Sequence, residues 1–509
     1  MSFLSNNIAA ILVAATVAAL GWIHGGTRGD LINPVLPWLT VLMLEVSIAF
    51  PQRHHGETMF DARERVWSAL KGDPLVWTSL VMILILAIPF LNKALCVNCD
   101  ARLIAGGATS NPPVPFIPFC VNRIEHLNVF LWFAAALSAA VVVRHCLTQS
   151  GKRLALAIIV WNGMALAALG FLQHALDAPG PLWNGETGIP KLAGIQDRMA
   201  DFFSTFGYAN MAGCYFTLLF GLAVALWRDA MRRVQLEYDI MDMPNAARKS
   251  RRTFWKSHYY LIPATLLFYA ALYSMSRSAI FFASACAMIY IMHAFITHIS
   301  RLRTRLEKVR AFVIGIHVIC VLVFAATIFI PEKAVKEMNG LSTIETLDRV
   351  SGRSDDMKRI ATEVWQDNML FGCGGWGFKH FSTQKMPEEK RNTFMVGGIN
   401  VHNDYLQFLA EHGIVGFGML VAVVVLLLWP TCRAWGGLIK LTKMMKKREL
   451  PAKPVAIFIL PAPVFCIMVA ELCALIHAFG DCPFRSPAIL TLFFVALPAM
   501  QGFMPASRQ

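Results

Sequence analysis

Twelve apolar runs of near membrane-spanning length set the terms for this chain. They lie at about 6–23, 31–50, 75–92, 127–143, 154–173, 208–227, 258–275, 278–299, 311–330, 413–430, 454–477 and 486–503. A helix of about 20 mostly apolar residues crosses the hydrocarbon core of a bilayer. The fold class expected is therefore an all-α polytopic membrane protein with about 12 transmembrane helices. Composition agrees: of 509 residues, 56% are hydrophobic and 15% charged, where a soluble chain carries about 25% charged. The first run, "NNIAAILVAATVAALGWI", lacks a basic start and a small-residue cleavage signal, so it reads as a retained span. Only "SMSRS" separates the seventh and eighth runs, which predicts a tight helical hairpin.

The net charge of +14 is a topology signal. With the N-terminus in the cytoplasm, the cytoplasmic segments 51–74, 144–153, 228–257, 300–310, 431–453 and 504–509 hold 28 of the 46 Lys and Arg residues. Most of the remainder lie in one long outer loop, 331–412. Long loops are largely exempt from the positive-inside rule, so both termini are expected inside. The basic loops "RDAMRRVQ" and "KLTKMMKKREL" then hold topology and touch anionic lipid. No binding module accompanies them, so nucleic acid is not an expected partner. Most of the cysteines sit within or beside spans, where Cys behaves as a small apolar residue. Cys96, Cys99 and Cys120 share an outer loop and suggest a disulfide there, with pairing open. The chain divides into 1–200, five spans with two outer loops; 201–503, a core that includes the loop 331–412; and 504–509, a cytoplasmic tail.

Four polar constellations fall on one side once this topology is drawn. In "YSMSRSAIFF", Arg277 lies where the seventh span turns into the eighth, and an arginine at membrane depth is a functional candidate. In "LDRVSGRSDDMKRIATEVWQDNMLFGCGGWGF", Met357, Ile360, Ala361, Val364, Trp365 and Asn368 follow helical spacing, which predicts an amphipathic helix. Asp355 and Asp356 suit its first turn, and Arg353 stands one turn ahead of Met357 at its entrance, with Arg349 and Arg359 as alternatives. The glycines of "GCGGWG" resemble a phosphate loop only superficially, since no strand precedes them and no Lys-Ser/Thr follows. In "GINVHNDYLQFLAEHGIVGFG", a helix is expected from Asn403 into the membrane, capped by Asn400 or Asn403. His402 then stands at the positive helix end, which favours a neutral ring able to accept a proton. Asp404 or Glu411 could orient that ring or be the base itself. In "HAFGDCPFRSP", His477, Asp481 and Arg485 gather between the last two spans, where Asp481–Arg485 could be a structural ion pair.

Arginines pair bidentately with phosphate oxygens. A lipid tail would need the helical bundle. A lipid-diphosphate-linked donor therefore suits the set, with arginines holding the departing diphosphate and a base taking the acceptor proton. No short outer loop has clustered carboxylates, so no metal and no cofactor is expected.

At this point the residues resemble a family. "SRSA", "SGR…W…LFGCGGWGF", "HNDYLQFLAEHGIVGF" and "HAFGDCPFRSPA" occur in this order in the O-antigen ligase and polymerase superfamily of bacteria, and "FSTFGYANMAGCYF" resembles its N-x-x-A segment, with Asn210 in place. The resemblance covers about 200–500 and looks nearest to the ligase branch. It implies a GT-C-like membrane glycosyltransferase of lipopolysaccharide biosynthesis in the bacterial inner membrane, working on the periplasmic face. The donor would be an undecaprenyl-diphosphate-linked glycan and the acceptor lipid A-core. Arg277, Arg353 and His402 would be the catalytic residues of a metal-independent, inverting transfer. Arg349, Asn210, Asn403, Asp404, Asp481 and Arg485 would contribute to substrate binding. The family's other activities, polymerase and protein O-oligosaccharyltransferase, are alternatives. A twelve-span transporter is the competing class, and it would predict two related halves, which the sequence lacks.

Overall fold

Helix dominates the structure because the apolar runs can satisfy their backbones internally. The structure, a computed structural model, describes residues 3–94, 96–97, 108–109, 112–114, 116–176, 181, 202–240, 258–299, 309, 344–386, 400–447 and 460–504. The longer helices are α1 (Phe3–Trp22), α2 (Leu36–Ala49), α3 (Met59–Gly72), α4 (Pro74–Ala87), α5 (Arg123–His145), α6 (Gln149–Ala175), α7 (Ala209–Ile240), α8 (Leu261–Tyr273), α9 (Arg277–Ile299), α10 (Ile344–Asp367), α11 (Gly377–Lys385), α12 (Asp404–Lys447), α13 (Ala462–His477) and α14 (Pro487–Ala499). A two-residue antiparallel pairing, β1 (Cys96–Val97) with β2 (Ala108–Thr109), is the only hairpin of strands among the described residues.

Helices stand at eleven of the twelve expected spans; the ninth, 311–330, lies outside the described residues. Five helical stretches are by themselves long and apolar enough to cross a membrane, and α3 with α4, bent by 64°, makes a sixth candidate. Asn6–Trp22, Leu36–Ala49, Ala462–His477 and Pro487–Phe503 are apolar but shorter. The chain is a multi-pass membrane protein. The expected hairpin forms, with α8 and α9 joined by a turn in which Ser276 Oγ accepts the Ala279 amide at 3.2 Å.

Two compact units divide the chain. The first comprises Met1–Ala155, Ser342–Leu428 and Ala474–Ala499; the second comprises Leu156–Leu341, Trp429–Cys473 and Met500–Gln509. In the second unit, α7 packs along α8 and α9. In the first, α5 packs against α2 and α14. There α10 lays Met357, Ile360, Ala361 and Val364 into a core with Phe119, Val121, Phe378, Val401 and Ala410, so the amphipathic face read from the spacing is the buried one. The helix begins earlier than expected, at Ile344, because "IETLDRV" is itself helix-forming. Arg353 therefore lies inside the helix rather than at its entrance, and Asp355 and Asp356 are not in its first turn. Cys120 is a free, buried thiol that donates to the Pro89 carbonyl at 3.2 Å; Cys99 and the Cys96 side chain lie outside the described residues.

The helix α12 is broken. Gly413 takes φ 64° and ψ −173°, splitting a nine-residue half-helix, 404–412, from the long span that follows. A break frees the carbonyls of Ala410 and Glu411 and the amides of Ile414 and Val415. The loop after α10 takes all four. Cys373 N and Gly374 N donate to Ala410 O and Glu411 O at 3.1 and 2.8 Å, and Ile414 N and Val415 N donate to Met369 O and Leu370 O at 2.9 and 3.1 Å. This approach explains the glycines of "GCGGWG". A Cβ on Gly372 would lie 2.3 Å from the Glu411 backbone carbon, and one on Gly413 would lie 2.3 Å from that of Leu370. Both glycines also have positive φ. Gly413→Ala should therefore cost at least about 1–3 kcal/mol from the left-handed backbone alone, with the clash added. Thermal unfolding in detergent checks this: the variant should melt several degrees below the parent.

Candidate active site

The half-helix starts with a cap. Asn403 Oδ1 accepts the Leu406 amide at 3.0 Å, so Asn403, not Asn400, caps α12. Asn400 Oδ1 instead accepts from Gln407 Nε2 at 3.2 Å, and Gln407 Oε1 accepts the Val401 amide at 3.1 Å. His402 precedes the cap with φ 53°, in the left-handed region that non-glycine residues seldom adopt. Such strain persists only where neighbours hold it.

The neighbour is the corner between α13 and α14. The Asp404 amide donates to Ala478 O at 2.9 Å and Asp481 O at 3.2 Å, and the Phe484 amide donates to Asp404 Oδ2 at 2.8 Å. This docking brings His402 Nδ1 to 3.1 Å from Asp481 Oδ1. The Asp481 side chain is only 2% exposed, whereas His402 is 34% exposed. Burial works against the Asp481 charge. The hydrogen bond from His402, the charges of His402 and His477, and the Cys482 amide at 2.8 Å outweigh it and hold the carboxyl below the usual range. An ionised carboxylate only accepts, so the ring donates to it through Nδ1; the neutral ring in that tautomer has its lone pair on Nε2. His477 Nε2 lies 4.0 Å from Asp481 Oδ2.

A second pair lies beside the first. Arg485 Nη2 meets Glu411 Oε2 at 2.7 Å, with 9% and 1% of the side chains exposed. The guanidinium lies 4.7 Å above the Trp376 ring, and Glu411 Oε2 also accepts the Trp376 amide at 3.1 Å. Burial would push the arginine down; the charges of Glu411 and Asp404 and the Glu411 hydrogen bond hold it up. Two expectations are corrected. Arg485 pairs with Glu411 rather than Asp481. Neither Asp404 nor Glu411 orients the His402 ring, because one is held by Phe484 and the other by Arg485. A cavity of about 210 Å³ adjoins this pair, lined by Trp132, Phe133, Tyr405, Phe408, Phe484 and Phe493 among others, with Asp404, Glu411 and Arg485 on its wall.

His402, Asn403, Asp404, Asp481 and Arg485 are thus brought together. Arg349 and Arg353 lie on α10, but their side chains lie outside the described residues. Arg359 is exposed and pairs with Glu363 at 2.7 Å, away from the buried face. Arg277 is the first residue of α9, and Asn210 stands in the first turn of α7 with Nδ2 donating to Tyr208 Oη at 3.0 Å; both belong to the second unit. The sequence marked Asp481 as a substrate contact or a partner of Arg485, not as the partner of the His402 ring.

Residues 262–421 match the family model for O-antigen ligase. Over this segment the chain is similar to the O-antigen ligase family. The matched segment runs from α8 through the half-helix of α12, so it contains Arg277, Arg353, His402 and the glycine loop. It ends before the corner that supplies Asp481 and Arg485. Comparison with curated proteins gives no match.

Two outcomes are expected here. Asp481 has a folded pKa below its unfolded value of about 3.9, so its pairing stabilises the fold above about pH 4 and is lost as pH falls through the lower folded value. The melting-temperature gap between the parent and Asp481→Asn should therefore be wide at pH 7 and shrink at pH 3. Removing one member of the buried pair, as in Arg485→Met, should cost about 3–5 kcal/mol. The double change Glu411→Leu with Arg485→Met should recover most of that loss in chemical denaturation.

Proposed function

We propose that this protein is a GT-C-like glycosyltransferase of the O-antigen ligase type. It would move a glycan from an undecaprenyl-diphosphate carrier to a hydroxyl of lipid A-core on the periplasmic face of the inner membrane. The observation that carries the reading is the His402–Asp481 pair, a half-exposed imidazole whose Nδ1 proton is held by a buried carboxylate. In this reading His402 Nε2 takes the acceptor proton as the hydroxyl oxygen attacks the anomeric carbon. The bond to the diphosphate breaks, and undecaprenyl diphosphate leaves with the electron pair. Asp481 fixes the tautomer and stabilises the imidazolium, the role of the third member of a catalytic triad. Arg277 and Arg353 are proposed, on the sequence pattern, to neutralise the leaving diphosphate in place of a metal. Arg349, Asn210 and Asn403 are proposed as further substrate contacts. The aromatic cavity supports a substrate with a hydrocarbon chain, since it adjoins the half-helix that follows His402.

A broken span is also a feature of transporters, whose freed backbone groups bind ions. Here the four groups freed at Gly413 bond to the loop 369–374, which weighs against that reading.

The test is transfer in nanodiscs with an undecaprenyl-diphosphate glycan, lipid A-core and excess chelator. Labelled lipid A-core should form with the parent, and His402→Ala should lower the rate by about 10²–10⁴-fold, the usual contribution of a general base. Arg277→Ala and Arg353→Ala should also collapse it. Growth of carrier-linked chains without lipid A labelling would make the enzyme a polymerase. Glycan appearing on a protein hydroxyl would make it a protein O-oligosaccharyltransferase. Full activity of His402→Ala would overturn the base assignment.

A further inference from the structure

The corner that orients His402 also gathers a third donor of a different kind. His402 Nδ1, Asp481 Oδ1 and Cys482 Sγ all lie within 4.8 Å of one another. The nitrogen and oxygen are 3.1 Å apart, and the sulfur and oxygen 3.5 Å. Zinc binds nitrogen at about 2.0–2.1 Å, oxygen at about 2.0–2.2 Å and thiolate sulfur at about 2.3 Å. Tetrahedral angles then separate nitrogen from oxygen by about 3.4 Å and sulfur from oxygen by about 3.6 Å. Two of the three donor pairs are therefore already near zinc spacing, and nitrogen and sulfur lie no more than 4.8 Å apart. Asp481 and Cys482 are buried, and His402, 34% exposed, is the member nearest solvent; a water would complete the four ligands. One nitrogen, one oxygen and one sulfur form a borderline-soft set that suits zinc and disfavours magnesium and calcium, which favour oxygen ligands.

We propose that His402, Asp481 and Cys482 form an inhibitory Zn²⁺ site. Zinc takes the lone pair at Nδ1, so the ring proton that had sat there resides on Nε2. The Cys482 thiol gives its proton to solvent and ligates as thiolate. With Nε2 protonated, His402 cannot accept a proton from an acceptor hydroxyl. The binding step rests on the geometry alone; its effect on transfer rests on the proposed role of His402 as base.

The test uses the full chain in nanodiscs, freed of metal by chelator and then by desalting. Co²⁺ alone serves as the spectroscopic stand-in for zinc. The parent should show a cobalt–thiolate charge-transfer band that Zn²⁺ bleaches. Cys482→Ser and Cys482→Ala should lack that band and bind Zn²⁺ at least about tenfold more weakly by calorimetry, since they lose one of three protein ligands. The metal-free melting temperature of each variant shows whether it has folded, and either folded variant suffices. A parent without the band, or a folded variant that keeps parental zinc affinity, overturns the site. Micromolar Zn²⁺ should also stop transfer by the parent, Mg²⁺ should not, and chelator should restore it. Zinc that binds through Cys482 yet leaves transfer unchanged overturns the inhibition. A metal-free parent that transfers nothing to any acceptor counts against the proposed function, while the cobalt band still decides the site.

Discussion

Inside a bilayer every backbone amide and carbonyl must find a partner within the protein, and the first unit is arranged around one place where the helix cannot provide it. Gly413 interrupts α12 and frees four backbone groups, and the loop 369–374 meets all four. The same constraint recurs further along α12. Pro430 lacks the amide that would take the Leu426 carbonyl, and Arg144 Nη1 donates to that carbonyl instead, at 2.6 Å. Arg144 is itself held by Asp73 at 2.7 Å. In both cases the freed backbone groups, which lie in the first unit, are met by groups from elsewhere in that unit.

The break has a consequence for the chemistry. A short half-helix ending at Gly413 can dock its N-terminus on the corner between α13 and α14, where Ala478 O and Asp481 O receive the Asp404 amide. That docking sets His402 in its left-handed conformation and turns Nδ1 toward Asp481. The glycine loop holds the other end of the half-helix and passes Trp376 over Arg485. One loop thus fixes the register of the half-helix and covers the buried ion pair beside it. The next polar layer is set in the same way: Gly375 N donates to His126 Nδ1 at 3.0 Å, so His126 Nε2 carries the proton given to Leu86 O at 2.8 Å.

Much of this could be read from residue order. The apolar runs marked the helices, the spacing of Met357, Ile360, Ala361 and Val364 marked the buried face of α10, and "SMSRS" marked the α8–α9 turn. These are local signals, carried by periodicity over a few turns. The break in α12 was not legible, because Gly413 lies where a polar helix start runs into a long apolar stretch and a single glycine there is common in spans. Its meaning depends on a loop some 40 residues upstream in the chain. The partner of His402 was hidden for the same reason. Asp481 is 79 residues away, and nothing local distinguishes it from Asp404, two residues from the ring.

Asp404 loses that competition through helix geometry. It and Glu411 are seven residues apart and so share one face of the half-helix. That face turns toward the 484–485 backbone and side chain, where the Phe484 amide and the Arg485 guanidinium take them. His402 lies before the cap, off the helical repeat, and so faces a different wall. A carboxylate on the half-helix would move with the ring it was meant to hold. One supplied by the α13–α14 corner ties the ring's orientation to the docking of the half-helix, so the dyad is assembled only when the helix break is correctly filled.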